Sequence, residues 1–568
     1  MNIDVQYLGE SGVHGDIGSS HLGLATNALR PQGFIRAHLT QVEQAREVLG
    51  ALHGVVISDL KRRPRDRGDW QRWLAEQDRK FLSSIQTRSS AAKDELERLE
   101  QRLEVLDGRR ELRRRPFVAA RRRYADYVVN HSSELYWLFD PVVTVHPDEV
   151  FFEAFSQDES SYARVGISRS LLRDEGDVVF GTTNIDFSRA LARHLERLRS
   201  YRDTTLAIGP GGVDVTVGSS VHREQKIPLP ESWVNGFLQV QATMTMALTR
   251  LQLRPIELLN VLRVLFSKKA RTSPKALRFE LVPGRAVRLV LEPWEIVVDT
   301  TSVFRGDREQ VIRVWGRERL KLLSRLLPLA TDVRVELAGF GLPSFWVVDL
   351  GGVSFTLGLS GWTDNDWTGQ QATQSGGADS RFELLTRRLD GTPDDLLRVY
   401  SALRDVRVAE DTAVAATTGL SLEKTRSALS MLAQAGRATY DLRLRRYRHR
   451  DLFADGFTLD EAKQVTRTKP ASSSPAAQRA QQIFDGDGVR IIAHRPTPAE
   501  AERPGYKLSG SVRGLHNDGV LRPQLHVDAD GAIISGSCTC RFHSEHGLTK
   551  GPCEHLLALR LAHMSRLS

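Results

Sequence analysis

The side chains best suited to chemistry in this 568-residue chain lie close together near its C-terminus. They occur in Cys538-Thr539-Cys540 and, after twelve intervening residues, Cys553-Glu554-His555. These three are all the cysteines of the chain, and an odd, small count excludes a disulfide framework and fits a reducing compartment. Zinc in a structural site takes four N/S donors in a tetrahedron, and Cys3His is one of its accepted sets. Alternate residues on a strand point the same way, so Cys538 and Cys540 are expected to present both thiolates together. Residues two apart inside a helix do not share a face, which places Cys553 at a helix entry and His555 in its first turn. Gly551-Pro552 just ahead suits a helix start. His543 and His546, in the intervening loop, compete for the fourth place. With four protein donors no position is left for a reacting water, so the expected role of one bound Zn2+ is structural.

The elements needed to position these donors are legible upstream. Tyr506–Val512 and Gln524–Asp528 read as strands, Asp530-Gly531 as a turn, and Ala532–Ser535 as the strand that carries the chain to Cys538. Leu556, Leu557, Leu559 and Leu561 supply a helix with packing side chains. Over 505–568 the chain resembles the SWIM-type zinc finger: Cys-x-Cys, a variable gap, then Cys-x-His on a β-β-α frame. Cys538, Cys540, Cys553 and His555 match its four ligand positions. The wider layout resembles large bacterial SWIM-finger proteins, some encoded beside MoxR-type AAA ATPases and von Willebrand A-domain proteins. The resemblance implies binding to DNA or to a protein partner such as an AAA ATPase complex.

The formal net charge is +9, and 59–127 alone holds 20 basic and 13 acidic residues. Arg109, Arg110, Arg113, Arg114, Arg115, Arg121, Arg122 and Arg123 form a run with Glu111 as its one acid. They follow a coiled-coil seam of Ala92, Leu96, Leu99, Leu103 and Leu106, preceded by Ile85. The expected picture is a helical hairpin with a basic tip that grips a phosphate backbone, or else a solvated helix face or a protein-docking protrusion.

Residues 381–456 resemble a winged helix-turn-helix. Helices are expected over 393–406 and through 410–416, with a turn at Thr418–Ser421. Ser421 caps a third helix that Gly436 ends, and an arginine-rich wing follows. In a DNA-binding winged helix Lys424 and Arg426 would face the groove, and Arg443, Arg445, Arg446 and Arg448 would hold phosphates. Glu423 at the same surface is unfavourable to DNA.

The central region offers no convincing active site. Gly209-Pro210-Gly211-Gly212 lacks the Lys-Ser/Thr of a P-loop and reads as a tight turn. Trp362 and Trp367 read as closing a sheet edge sooner than stacking on a base. A hairpin is expected from 278–282 and 287–291, strands at 296–299, 333–337 and 345–348, and a helix over roughly 308–327.

The whole reads as an α+β multidomain protein. A mainly helical region with the seam and basic tip spans 1–133, and an α+β domain spans 134–380. The winged-helix-like domain covers 381–456, a linker 457–504 and the zinc finger 505–568. Hydrophobic residues are 40% of the chain, which excludes a disordered or collagen-like chain. No run approaches the roughly 20 apolar residues of a membrane span, and no secretory signal opens the chain. A cytoplasmic, non-enzymatic binding protein without a membrane partner is expected.

Overall fold

The structure is a computed structural model. With short gaps it describes residues 11–58, 141–209, 231–361, 391–467 and 475–567, together with Arg102, Trp367 and Leu385. The arginine run 109–123, the seam 85–106 and Trp362 lie outside the described residues. The chain divides into two compact units, one of 1–61, 140–270 and 274–568, the other of 62–139 with 271–273. Apart from Arg102, Arg271 and Thr272, the described residues belong to the first.

The fold is mixed α+β and multidomain, with its cores between several sheets and the helices against them. Its largest sheet is antiparallel and eight-stranded, in the order 249–253, 332–337, 344–349, 353–359, 161–168, 149–155, 142–145, 181–184. Strands Glu149–Phe155 and Val353–Leu359 are buried at every position, so their near-continuous apolar runs are what a sheet covered on both faces requires. Helix Val42–Val56 lies on this sheet and buries Val48, Leu49, Leu52 and Val55. A second, five-stranded sheet joins 12–15, 19–25, 203–209, 35–39 and 172–174, with Ser19–Ala25 and Asp203–Gly209 parallel. Residues 12–15, 19–25 and 35–39 are thus strands, where the sequence reads as part of a mainly helical region.

The expected 278–291 hairpin forms as Leu277–Leu281 against Ala286–Leu291, and Gly284 supplies the positive φ its turn needs. The helix expected over 308–327 does not form. Gln310–Val314 pairs with Leu277–Leu281 as a strand, Gly316 sits at φ 72°, and Arg317–Leu323 is a 3₁₀ turn. The alternating Val311, Arg313 pattern fits a sheet edge, and that pairing overrides the helical propensity of the charged residues around it. Trp367 is fully buried and stacks on Phe345 at 5.9 Å.

Three helices follow, Pro393–Val406, Asp411–Thr418 and Leu422–Gln434. They pack with a small sheet of 408–409, 446–449 and 438–441. Thr392 and Asp395 form a capping box at the first helix, and Ser421 accepts the Lys424 N–H at the third. The supposed linker 457–504 is largely regular. It holds helices Leu459–Arg467 and Pro475–Asp485 and strand Val489–Pro496. The last two belong with the C-terminal sheet 489–496, 505–513, 524–528, 533–537 and with helix Glu554–Leu567. No helix among the described residues is long and apolar enough to cross a membrane.

Candidate metal centre and the arginine sites

Cys538, Cys540, Cys553 and His555 present one donor atom each, all within 4.8 Å of one another. Donors around a tetrahedral zinc at about 2.3 Å stand roughly 3.8 Å apart, so the set has the right size for a metal ion. Each side chain is buried, from 1% exposed at Cys553 to 9% at Cys538.

Strand Ile533–Ser537 delivers Cys538 just beyond its end. Cys540 is the N-cap of a six-residue helix, Arg541–His546, and its Sγ accepts the His543 N–H at 3.4 Å. This helix replaces the loop expected there, and the two thiols come together at a bend past the strand instead of within it. At the other end Gly551 takes φ 88°, the Cys553 carbonyl accepts the Leu557 N–H at 3.1 Å, and His555 stands in the first turn of Glu554–Leu567. Leu556, Leu557 and Leu559 are buried against the sheet, while Leu561 is half-buried.

Three thiols and one imidazole are a donor set that zinc accepts, and crowded together these groups share their protons unequally. Hydrogen bonds from Cys538 and Cys553 hold the Cys540 thiol far below its ordinary value, while those from Cys538 and Cys540 push Cys553 up. His555 rises to about 10, because contacts with Cys538 and Cys540 outweigh its burial. The Nδ1 of His555 is buried without a hydrogen-bond partner. The rings of His543 and His546 are not in the group. The His546 ring lies edge-on to Phe542 at 5.1 Å and 3.7 Å from Glu545, and His543 contributes its backbone N–H.

The arginines of the 438–449 hairpin meet a different fate. Arg448 is fully buried and lies 2.6 Å from Asp148, 3.1 Å from Glu149 and 2.9 Å from Asp441. Arg164 joins the same cluster through Glu149 at 2.5 Å and Asp441 at 3.4 Å. Arg443 lies 3.7 Å from Asp349, Arg450 is buried on Glu153, and Arg446 meets Glu410 at 3.2 Å. Arg426 is paired with Asp411 at 2.6 Å, whereas Lys424 and Arg445 are exposed. The guanidinium of Arg448 therefore has no solvent face to offer a phosphate. Two of its three carboxylate partners, Asp148 and Glu149, come from about 300 residues earlier in the chain, beyond any local pattern.

No family model and no curated protein matches the sequence. Among solved structures, the chain is similar to the Proliferating Cellular Nuclear Antigen of Entamoeba histolytica at 10% identity and TM-score 0.26, over 39% of this chain and 89% of that one. It is also similar to a structure of the C-terminal region of FEN-1 bound to A. fulgidus PCNA, at 12% identity and TM-score 0.28, over 41% and 93%. Likenesses at this level carry no argument about fold or function.

Proposed function

We propose that Cys538, Cys540, Cys553 and His555 hold one structural zinc ion in a SWIM-type finger, and that the protein is a non-catalytic binding protein whose target is nucleic acid. The observation that carries the zinc reading is the closed set of four buried N/S donors, three of them thiols, within 4.8 Å. A bound zinc would tie the strand end at Cys538 to the helix start at Cys553, and folding energy is the chemistry it supplies there. The basic surplus of the chain and the arginine run 109–123 support an anionic partner.

A second reading is that the helices of 393–434 serve a protein-docking role. Helix Leu422–Gln434 is buried along most of its length and packs on helix Glu231–Met244, and the hairpin behind it is ion-paired into the large sheet. A winged-helix-like unit used in this way engages protein, here within its own chain.

Fluorescence anisotropy of zinc-loaded protein with random double- and single-stranded DNA across a salt titration separates the two. Nucleic-acid binding gives affinity falling steeply with salt, weakened by changing Arg113, Arg114 and Arg115 to Ala. No binding at low salt, with a defined protein such as an AAA ATPase co-purifying, supports a protein-protein adaptor with no direct DNA role.

A further inference from the structure

We propose that the open face of the C-terminal sheet seats a single-stranded nucleic-acid backbone, gripped by Arg490, Arg495, Lys507 and Arg513. This rests on nucleic acid being the target and adds which surface holds it and in which form.

The two faces of this sheet differ. Helix Glu554–Leu567 covers one: a side chain added at Gly510 would meet Leu559, and one at Gly536 would meet Leu556. On that side the rings of His494, Tyr506 and His563 pack at 4.7 to 5.0 Å. Along Gly505–Arg513, Leu508, Gly510 and Val512 are buried beneath the helix, and the alternate residues Lys507 and Arg513 are exposed on the other face.

The neighbouring strand adds two more cations by an irregularity. Arg490 and Arg495 are five residues apart, a spacing that puts them on opposite faces of a regular strand. The pairing slips between Ile491 and Ala493, so Ile492 is an extra residue and both arginines reach the open face. Arg495 then stands opposite Lys507, and Arg490 opposite Ser511, diagonal to Arg513.

Two cationic pairs result: along the strand Arg490 stands about 13 Å and Arg513 about 20 Å from the Arg495–Lys507 pair, at roughly 3.3 Å per residue. Between and beside them lie small or polar residues, Ala493, Ser509, Ser511 and Gln524, which leave the backbone of a ligand free to approach.

Among the described residues none of the four cations is in an ion pair, and the one acid on these strands, Asp528, shares the face, diagonal to Lys507. Asp528 accepts the Ala532 N–H of its own turn at 2.8 Å. The finger sequence is nearly neutral in sum, yet this face is positive. Its complement is a chain of regularly spaced anions.

Four strands span about 14 Å between outer axes at roughly 4.8 Å spacing, wider than the ~12 Å major groove, so the face cannot enter a duplex. A single strand can lie across it.

The test uses the full-length zinc-loaded protein with labelled oligo-dT, oligo-rU and a random duplex over a salt titration. The combined variant Arg490→Ser, Arg495→Ser, Lys507→Ser and Arg513→Ser is expected to bind single strands at least ~10-fold more weakly. The slope of log affinity against log salt should flatten by about 3, from four contacts at about 0.7 each. Zinc content and circular dichroism check its fold. If it loses zinc, the double variants R490S/R513S and R495S/K507S carry the test.

Unchanged affinity and slope in the variant overturn the face while leaving nucleic-acid binding standing. Absence of any binding by the unaltered protein overturns both. Tighter binding of the duplex, abolished by the variant, overturns the single-stranded assignment.

Discussion

Cys540 has two tasks at one atom. Its Sγ is a member of the donor set and also the acceptor that caps helix Arg541–His546. Serine keeps a capping oxygen but is a poor zinc donor, so Cys540→Ser separates the tasks. Zinc content measured by elemental analysis should fall from about one per chain to near zero in both Cys540→Ser and Cys540→Ala. The alanine variant should be further destabilised by about 1 kcal/mol through the lost cap. That Cys538, Cys540, Cys553 and His555 would gather was legible in their spacing, with His543 and His546 left competing for the fourth place; the structure brings the first four together. The cap was not legible, since nothing in Cys-x-Cys announces a six-residue helix behind it.

Two buried histidines give the fold a pH dependence. Burial, aided by Arg448, lowers His146 to about 3, and burial lowers His449 to about 4. In the unfolded chain both titrate near 6.5. Between those values the unfolded state binds protons that the folded state refuses, so stability falls as pH drops below about 6.5. Each histidine should contribute a loss of about 2 kcal/mol by pH 5. Asp441 works at lower pH: its burial is outweighed by Arg164 and Arg448, which hold it at about 2. Its stabilisation is present above the ordinary carboxylate value and disappears as pH falls through that range. Urea midpoints at pH 7 and pH 5 check the histidine effect, and His146→Gln should reduce the difference.

At the scale of elements, the helices of 393–434 follow their sequence signals closely. Ser421→Ala should cost about 1 kcal/mol, read as a shifted urea midpoint, because it orphans the Lys424 N–H. The hairpin after them behaves otherwise. Its alternation predicts a row of arginines on one side and is right about the strands 438–441 and 446–449, but that side faces carboxylates instead of solvent. Arg448→Ala should destabilise the protein by about 3–5 kcal/mol, since Glu149 and Asp441 would keep buried charges with a partner removed. An equilibrium unfolding curve decides it, and a change within about 0.5 kcal/mol would mean the cluster is hydrated. The register slip at Ile492 is equally silent in the sequence. Arg490 and Arg495 read as opposite-facing, and only the ladder with 505–513 shows that they agree.

For the molecule as a whole, the α+β class and the hairpins of 277–291 and 332–349 were open to reading because their partners are near in the chain. The five-stranded sheet was not. Its members come from 12–39 and 172–209, and period-2 patterns in such short strands do not say which distant strand they will meet. The same distance hid Asp148, Glu149 and Glu153 as partners of Arg448 and Arg450. Helix 475–485 and strand 489–496 went unread because the proline and serines ahead of them have the composition of a linker.

The parallel pairing of Ser19–Ala25 with Asp203–Gly209 also sets a timetable. A chain emerging from a ribosome at roughly 5–20 residues per second exposes its early strand on the order of ten seconds before the partner exists. During that interval Leu22 and Leu24, buried once the sheet closes, stand in water on an unpaired edge. Synthesis of this protein therefore has a vulnerable period early on, and slowing translation between residues 25 and 203 should raise the aggregated fraction more than slowing it afterwards.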